Sequence, residues 1–94
     1  MQGPKRARTV IVANPQGLHA RPANRFAKLA SQFESQIEVI KDGERVDGKS
    51  VLNVLTLAAT EGTQLVLEAT GADADAALGA LAEMVESKFE DNGQ

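Results

Sequence analysis

The sequence predicts an α+β fold: a two-layer open-faced sandwich in which three helices cover one face of a four-stranded, mostly antiparallel sheet. Three observations support this prediction. The 94 residues are enough for one domain with a single core. The hydrophobic pattern changes between the strand period and the helix period in the order β-α-β-β-α-β-α. An Asp-Gly pair joins the second and third strands, as expected for a hairpin.

The first strand and the first helix are separated by a turn. β-Branched and apolar residues indicate a strand at residues 9–13, and Asn14-Pro15-Gln16-Gly17 has the composition of a turn. The helix should begin close to His19, because Pro22 is tolerated only in a first turn, where its missing N–H breaks no hydrogen bond. Its apolar stripe comprises Ala23, Phe26, Ala27, Ala30 and Phe33.

A hairpin and a short second helix are predicted for the middle of the chain. Residues 36–40 and 44–46 are strand-like and are joined by Asp42-Gly43, a strong signal for a two-residue turn. Ser50 is a favourable N-cap for the second helix, which should extend to about Ala59.

The last third of the chain is predicted to form a strand and an amphipathic helix. Residues 63–69 alternate in polarity, and Thr70-Gly71 ends the strand. Asp73 and Asp75 would lie near the positive end of the final helix. Its apolar stripe comprises Ala74, Ala77, Leu78, Leu81, Met84, Val85 and Phe89.

The termini are expected to extend beyond the domain. Residues 1–8 are predicted to form a flexible basic N-terminal arm, residues 9–91 the single domain and residues 92–94 a C-terminal tail. The apolar run at residues 10–13 is too short for the core of a signal peptide, and no segment approaches the roughly 18 apolar residues of a membrane span. We therefore expect a soluble cytoplasmic protein without membrane insertion.

Composition argues against several classes of function. The chain has no cysteine, which excludes disulfides and thiolate chemistry. With a single histidine, a transition-metal site would have to rest on carboxylates, so we expect no metal and no other cofactor. Only three residues are aromatic, all of them Phe, and the net charge is −3, which disfavours binding to nucleic acid.

The segment Gly17-Leu18-His19-Ala20-Arg21-Pro22 has features of an anion site. If the helix starts at Ala20, unpaired first-turn amides lie beside the His19 ring, and Arg21 adds a planar cation suited to phosphate oxygens. This positive environment disfavours the imidazolium, and a neutral imidazole is a nucleophile toward phosphorus. On spacing alone, however, a histidine at a helix start is more often a surface or capping residue.

The same segment resembles the active-site signature of the histidine-containing phosphocarrier protein (HPr) family of the bacterial phosphoenolpyruvate-dependent phosphotransferase system. A second similarity lies at Gly48-Lys49-Ser50 and the following Val51-Leu52-Asn53-Val54-Leu55-Thr56-Leu57, and a third at Glu61-Gly62-Thr63. The resemblance extends from about residue 9 to residue 91.

The resemblance implies a covalently phosphorylated carrier and not a free-standing enzyme. His19 would accept a phosphoryl group on Nδ1 from enzyme I and pass it to an enzyme IIA-type domain, for sugar uptake or regulation. Arg21 would hold the phosphoryl oxygens, and Gly17, Ala20 and Pro22 would support the phosphate site. No cofactor is implied, and we expect the carrier to be a monomer.

Ser50 and a set of apolar and basic residues are further site candidates under this resemblance. Besides capping a helix, Ser50 would be a regulatory site for HPr kinase/phosphorylase in bacteria that possess one. Ala20 and Asn53 depart from the family pattern, which affects the prediction of partner preference. The residues implied in partner docking are Leu18, Arg25, Lys28, Val51, Leu52 and Leu55.

The sequence leaves three alternatives open. Glu68-Ala69-Thr70-Gly71 and the ending Phe89-Glu90-Asp91 also resemble the nitrogen-related regulatory branch, in which the phosphoryl group is a signal. A second alternative is a binding module that senses a small anion without a covalent step. Binding of nucleic acid through the basic first third is the weakest alternative, because the chain is acidic overall.

Overall fold

Seven elements follow one another in the predicted order. The computed structural model describes residues 3–89. Residues 90–94, which include the predicted tail at 92–94, lie outside the described residues. The elements are β1 (Lys5–Ile11), α1 (Ala20–Ala30), β2 (Gln36–Lys41), β3 (Glu44–Asp47), α2 (Val51–Thr56), β4 (Gln64–Thr70) and α3 (Ala74–Glu86).

The four strands form one antiparallel sheet in the spatial order β1-β4-β2-β3. β4 lies between β1 and β2, with Leu67 paired to Val39. The β2–β3 hairpin turns at Asp42 and Gly43, which both have positive φ (51° and 84°), as a two-residue turn requires. α3 packs on β1 and β4, and α1 packs on α2 and α3. The predicted α+β sandwich is confirmed.

The two faces of the sheet differ in polarity. Along β4, alternate side chains such as Leu65 and Leu67 point into the core beneath the helices. On the open face of the same strand, Glu68 accepts a hydrogen bond from Arg45 and forms an ion pair with Lys5 at 3.3 Å. These two partners, Arg45 first, lower the pKa of the Glu68 carboxyl. This part of the open face is therefore a network of paired charges.

The core is aliphatic, as the composition predicts. Phe26 and Phe89 are buried, and Phe33 packs partly buried against the edge of the core. Most other large core residues come from the strands and from α3. The largest fully buried aliphatic side chains are Ile37, Leu57, Leu65, Leu67, Leu81, Val10, Val12, Val39, Val54 and Val85.

β1 begins earlier than the sequence pattern predicts. Its residues 5–8 pair with residues 67–70 of β4, so the prediction of a flexible arm is wrong for this part of residues 1–8. The strand also ends at Ile11, two residues before the predicted end. The basic residues are accommodated because β1 is an edge strand, where long charged side chains reach water. Lys5 pairs with Glu68, and Arg6 forms an ion pair with Asp75 of α3 at 3.3 Å.

All three helices end earlier than predicted; α3 ends at Glu86, although its predicted stripe extends to Phe89. α1 ends at Ala30, although its apolar stripe extends to Phe33. α2 ends at Thr56 instead of Ala59, because Ala58 adopts a left-handed conformation (φ 49°) that does not continue a helix. No helix within the described range is long and apolar enough to cross a membrane.

Side chains from elsewhere in the chain hold the helix ends. Lys41 donates from Nζ to the carbonyl of Leu57 at the end of α2 (2.9 Å), a favourable place for a cation. Asp73, the N-cap of α3, accepts hydrogen bonds from the amides of Glu34 (2.8 Å) and Ser35 (2.9 Å) and from the Ser35 hydroxyl. Asp73 thus joins the start of α3 to the turn between α1 and β2.

Candidate functional site

His19 is the N-cap residue of α1, as the position of Pro22 predicts. Its backbone is extended (φ −83°, ψ −171°), and its side chain is exposed. Among residues 3–89 the imidazole makes no capping hydrogen bond to the helix. The only histidine of the chain is therefore accessible from solvent at the start of a helix.

The first turn of α1 presents free hydrogen-bond donors beside this ring. The carbonyl of His19 accepts the first intrahelical bond, from the amide of Ala23 at 3.0 Å. The amides of Ala20 and Arg21 donate to no acceptor in the part of the chain that the structure describes, and Pro22 has no N–H to satisfy. Unpaired amides and the positive end of the helix dipole together favour an anion at this position.

Arg21 supplies the cation that the sequence predicts for this site. Its side chain is exposed, and it has no hydrogen-bond or ion-pair partner among the described residues. A guanidinium with no partner can turn toward a phosphoryl group and bind two of its oxygens. The structure therefore brings together His19, Arg21 and the free amides within one helical turn.

The loop before His19 is packed tightly against the loop after α2. Gly17 has positive φ (71°), and a Cβ atom there would overlap the carbonyl oxygen of Ala59. The amide of Leu18 donates to that same oxygen at 2.9 Å. Leu18 is only 5% exposed and belongs to the core, so little of the side chain predicted to contribute to partner docking is accessible.

Ser50 caps α2, and this prediction is confirmed. Its Oγ accepts hydrogen bonds from the backbone amide of Asn53 (3.2 Å) and from the side-chain Nδ2 of Asn53 (3.1 Å). The hydroxyl oxygen thus has two donors from one residue. The N-terminus of α2 therefore has a side-chain cap, whereas that of α1 has none.

The two candidate sites lie at opposite ends of the paired helices α1 and α2. The end of α2 is beside the start of α1, through the Leu18–Ala59 hydrogen bond. The start of α2 is beside the end of α1, because Nζ of Lys49 donates to the carbonyl of Phe33 at 2.8 Å. α2 has six residues, a length of about 9 Å, so about this distance separates Ser50 from the level of His19.

The remaining docking candidates differ in exposure. Leu52 is 74% exposed and Lys28 is exposed, whereas Val51 and Leu55 are partly buried against the core. Arg25 is half-buried, and its guanidinium donates to the carbonyl of Phe89 at 2.6 Å. Leu52 and Lys28 therefore remain the most accessible of the predicted docking residues, and Arg25 also has a structural contact.

Sequence analysis missed Asn14, which it treated only as part of a turn. Its side-chain Nδ2 donates to the carbonyl of Gly17, and its backbone carbonyl accepts a hydrogen bond from the Gly17 amide at 3.0 Å. The available signal was the residue type, because an asparagine at the first position of a turn often bonds to the backbone just after it. No group of three or more potential metal ligands occurs among the described residues.

Comparison with known proteins identifies the family. The family model described as "PTS HPr component phosphorylation site" matches residues 6–87. Phosphocarrier protein HPr of Neisseria meningitidis is 42% identical over 81 residues, which are 86% of this chain and 91% of that protein. Phosphocarrier protein NPr of Shewanella violacea is 39% identical over 87 residues, 93% of this chain and 96% of that protein.

Solved structures agree with the sequence comparison. HPr from Thermoanaerobacter tengcongensis superimposes with a TM-score of 0.87 at 41% identity, over 92% of this chain and 98% of that chain. An HPr dimer from the same organism superimposes with a TM-score of 0.73 at 41% identity, over 87% and 94% of the two chains. Since the family match covers most of the chain and includes the segment around His19, the chain belongs to the HPr family of phosphocarrier proteins of the phosphotransferase system.

Proposed function

We propose that this chain accepts a phosphoryl group on His19 from enzyme I and passes it to an enzyme IIA-type domain. The observation that carries the proposal is the exposed imidazole at the N-cap of α1, beside first-turn amides without acceptors in the described structure. A carrier needs a nucleophile that two partners can reach in turn, and a local environment that tolerates the added negative charge.

The proposed transfer needs no further reactant. A nitrogen of neutral His19 attacks the phosphorus of a phosphohistidine on enzyme I, and the N–P bond to enzyme I breaks as the new N–P bond forms. The electron pair of the broken bond stays on the nitrogen of enzyme I. In the second step a histidine of the acceptor attacks in the same way, and His19 is restored. Positioning and charge stabilisation account for most of the catalysis in such transfers.

Arg21 and the amides of α1 stabilise the phosphoryl oxygens during both steps. The guanidinium has no partner among the described residues, so binding the phosphoryl group breaks no existing ion pair. The amides of Ala20 and Arg21 are likewise without acceptors within residues 3–89. Gly17 and Pro22 support this site by fixing the backbone on either side of His19.

Partners dock on the exposed side of α2 and the adjacent part of α1. Leu52 is 74% exposed, which is unusual for a leucine in a short helix, and Lys28 supplies positive charge on α1. Val51 and Leu55 extend the apolar surface with their partly exposed side chains. A surface with one apolar anchor and a basic rim suits several acidic partners in turn.

Phosphorylation of Ser50 by an HPr kinase/phosphorylase would regulate this docking. A phosphate at an N-cap is electrostatically favourable for the helix itself. It would place negative charge next to the docking surface and about a helix length away from His19. Its effect would therefore fall on partner binding more than on the chemistry of transfer.

The nitrogen-related regulatory branch is the second candidate function. The specific observation is the 39% identity to an NPr, nearly equal to the 42% identity to an HPr. Glu68 of the similar stretch lies in the ion-pair network of the open sheet face, so this stretch does not contact the phosphoryl site. Transfer rates from phosphorylated wild type to sugar-specific and to nitrogen-branch IIA domains would separate the two branches.

Incubation with enzyme I and phosphoenolpyruvate tests the carrier proposal directly. We expect one acid-labile phosphoryl group on wild type, none on His19→Ala, and a normal amount on Gln32→Ala, an exposed matched control. If several active enzymes I fail to label wild type, the non-covalent anion-sensing module is favoured instead. Sedimentation of the labelled sample tests whether the proposed cytoplasmic carrier is a monomer. The alternative is a dimer, because a dimer has been solved for a relative.

A further inference from the structure

The turn that leads into His19 contains one buried polar side chain, that of Asn14. Asn14 is 7% exposed, and its backbone carbonyl accepts a hydrogen bond from the amide of Gly17 at 3.0 Å. Its side-chain Nδ2 donates to the carbonyl oxygen of the same glycine. The side chain of Asn14 therefore holds the carbonyl side of the peptide plane that connects Gly17 to Leu18, and the Leu18–Ala59 hydrogen bond holds its amide side.

Gly17 and Leu18, on the two sides of this peptide plane, have little freedom to compensate for a change. Gly17 is so close to the Ala59 carbonyl that a Cβ atom would overlap it, and Thr60 Cα would be only 3.0 Å away. Leu18 is buried, and its amide is bonded to the same Ala59 carbonyl at 2.9 Å. A rotation of the Gly17 carbonyl is therefore transmitted along the backbone to the N-cap residue.

Folding stability alone does not explain why a polar residue occupies this position. The Oδ1 atom of Asn14 is buried and has no hydrogen-bond partner within the described residues. A buried acceptor without a partner lowers stability, which offsets what the Nδ2 hydrogen bond contributes. An alanine would remove the unpaired oxygen, but it would also leave the Gly17 carbonyl without this donor and a small cavity behind, so a modest loss of stability is expected.

We propose that Asn14 is a positioning residue for phosphoryl transfer: through its side-chain hydrogen bond to the Gly17 carbonyl, it holds His19 in the orientation in which its ring meets the phosphorus. This inference rests on the proposed function of His19 as phosphoacceptor. Transfer between two proteins requires the attacking nitrogen, the phosphorus and the leaving nitrogen to lie in line. Displacements of about 1 Å in such arrangements cost up to about a hundredfold in rate.

The kinetic test compares Asn14→Ala with wild type, using phosphorylated enzyme I as donor and rapid quenching. We expect kcat to fall about tenfold and KM to stay unchanged, because the docking residues Leu52 and Lys28 are untouched. The melting temperature should fall by about 5 °C, as for the control variant Ser35→Ala. An unchanged kcat, or a loss confined to KM, would overturn the proposal.

Ser35→Ala is the matched control at the other end of α1. Ser35 is also a buried polar residue that holds a turn through its side chain, by donating to Asp73. We expect its melting temperature to fall by about 5 °C with an unchanged kcat. A kcat for Ser35→Ala as low as that for Asn14→Ala would show that general loosening, not positioning, explains the effect.

A second variant guards against misfolding of Asn14→Ala. Asn14→Leu keeps nearly the same side-chain shape and removes both polar atoms, so the buried space stays filled. A folded Asn14→Leu with the kcat of wild type would refute the proposal even if Asn14→Ala were unfolded. Absence of phosphate on wild-type His19 would instead refute the proposed function, so the two failures are distinguishable.

Discussion

The N-termini of α1 and α2 have similar backbone geometry but differ in side-chain capping. Both N-cap residues are extended, His19 at φ −83°, ψ −171° and Ser50 at φ −110°, ψ 116°. Ser50 bonds the amide of Asn53 in its own helix, whereas the ring of His19 caps nothing among the described residues. The start of α2 is therefore stabilised by a side-chain cap, and the start of α1 is not.

Helix length explains how the fold tolerates this difference. α1 has 11 residues and buries five of them, including Phe26, so packing holds it without a side-chain cap. α2 has six residues and buries only Val54, so the cap at Ser50 is a larger share of its stability. An uncapped site is therefore placed on the helix that can best maintain it.

The largest effect is expected from His19→Ser, which would give α1 a side-chain cap like that of α2. His19→Ser should abolish phosphoryl acceptance completely, because the nucleophile is lost. It should also stabilise the fold by about 0.5 kcal/mol, since serine is a good N-cap and can accept from the amide of Arg21. Enzyme I labelling and urea unfolding would measure the two effects. A destabilised His19→Ser would contradict the inference that the missing side-chain cap at His19 lowers the stability of the fold.

The second-largest effect is expected at Arg21, the cation in the first turn of α1. Arg21→Ala should slow transfer from enzyme I about a hundredfold, the usual loss for one group that stabilises a transition state. Arg21→Lys should recover part of the rate, because it keeps the charge without the two-pronged geometry. Arg8→Ala, which removes an exposed arginine of β1, is the matched control and should have no effect. Equal rates for Arg21→Ala and wild type would remove Arg21 from the site.

The third-largest effect is expected at Ser50, the side-chain cap at the start of α2. Ser50→Asp imitates a phosphoserine and is itself a good N-cap, so the fold should remain stable. The new charge should raise KM for enzyme I about fivefold, equivalent to about 1 kcal/mol of binding, and leave kcat unchanged. Ser50→Asn is the control, because it caps without charge. A fall in kcat for Ser50→Asp would mean that charge at Ser50 reaches the chemistry at His19.

Features that depend on nearby residues were predictable from the sequence. The start of α1 follows from Pro22, the hairpin from Asp42-Gly43, and the cap of α2 from Ser50, and all three are present in the structure. The same holds for the placement of His19 next to free amides. In each case the physical cause lies within one turn of the chain, so the pattern of residue types is sufficient.

Features that depend on distant partners were not predictable in this way. Residues 5–8 join β1 only because residues 67–70 of β4 pair with them. Leu18 was predicted to contribute to docking, but it lies in the core, where its amide donates to the carbonyl of Ala59. The hydrogen bond between Arg25 and Phe89 spans 64 positions in the sequence. No local pattern contains these contacts.

The smallest effect is expected at the third helix start, where Asp73 caps a neighbouring turn. Its pKa is lowered, first by the Ser35 hydroxyl and then by the amide of Glu34. A carboxyl with a lowered folded-state pKa stabilises the fold above its unfolded pKa of about 3.9, and this contribution is lost as the pH falls through the folded value. Asp73→Asn should therefore be less stable than wild type at pH 7, and the difference should shrink as the pH falls from about 4 toward 2.

Urea unfolding of wild type and Asp73→Asn across this pH range measures the effect, with phosphoryl transfer at pH 7 as the second readout. Transfer should be equal in the two proteins, because Asp73 lies beyond the far end of α1 from His19. A stability difference that stays constant down to pH 2 would mean that the Asp73 carboxylate is not what holds this turn. A changed transfer rate would mean that the three helix starts are coupled, and the comparison of α1 with α2 would then need a mechanism that links them through α3.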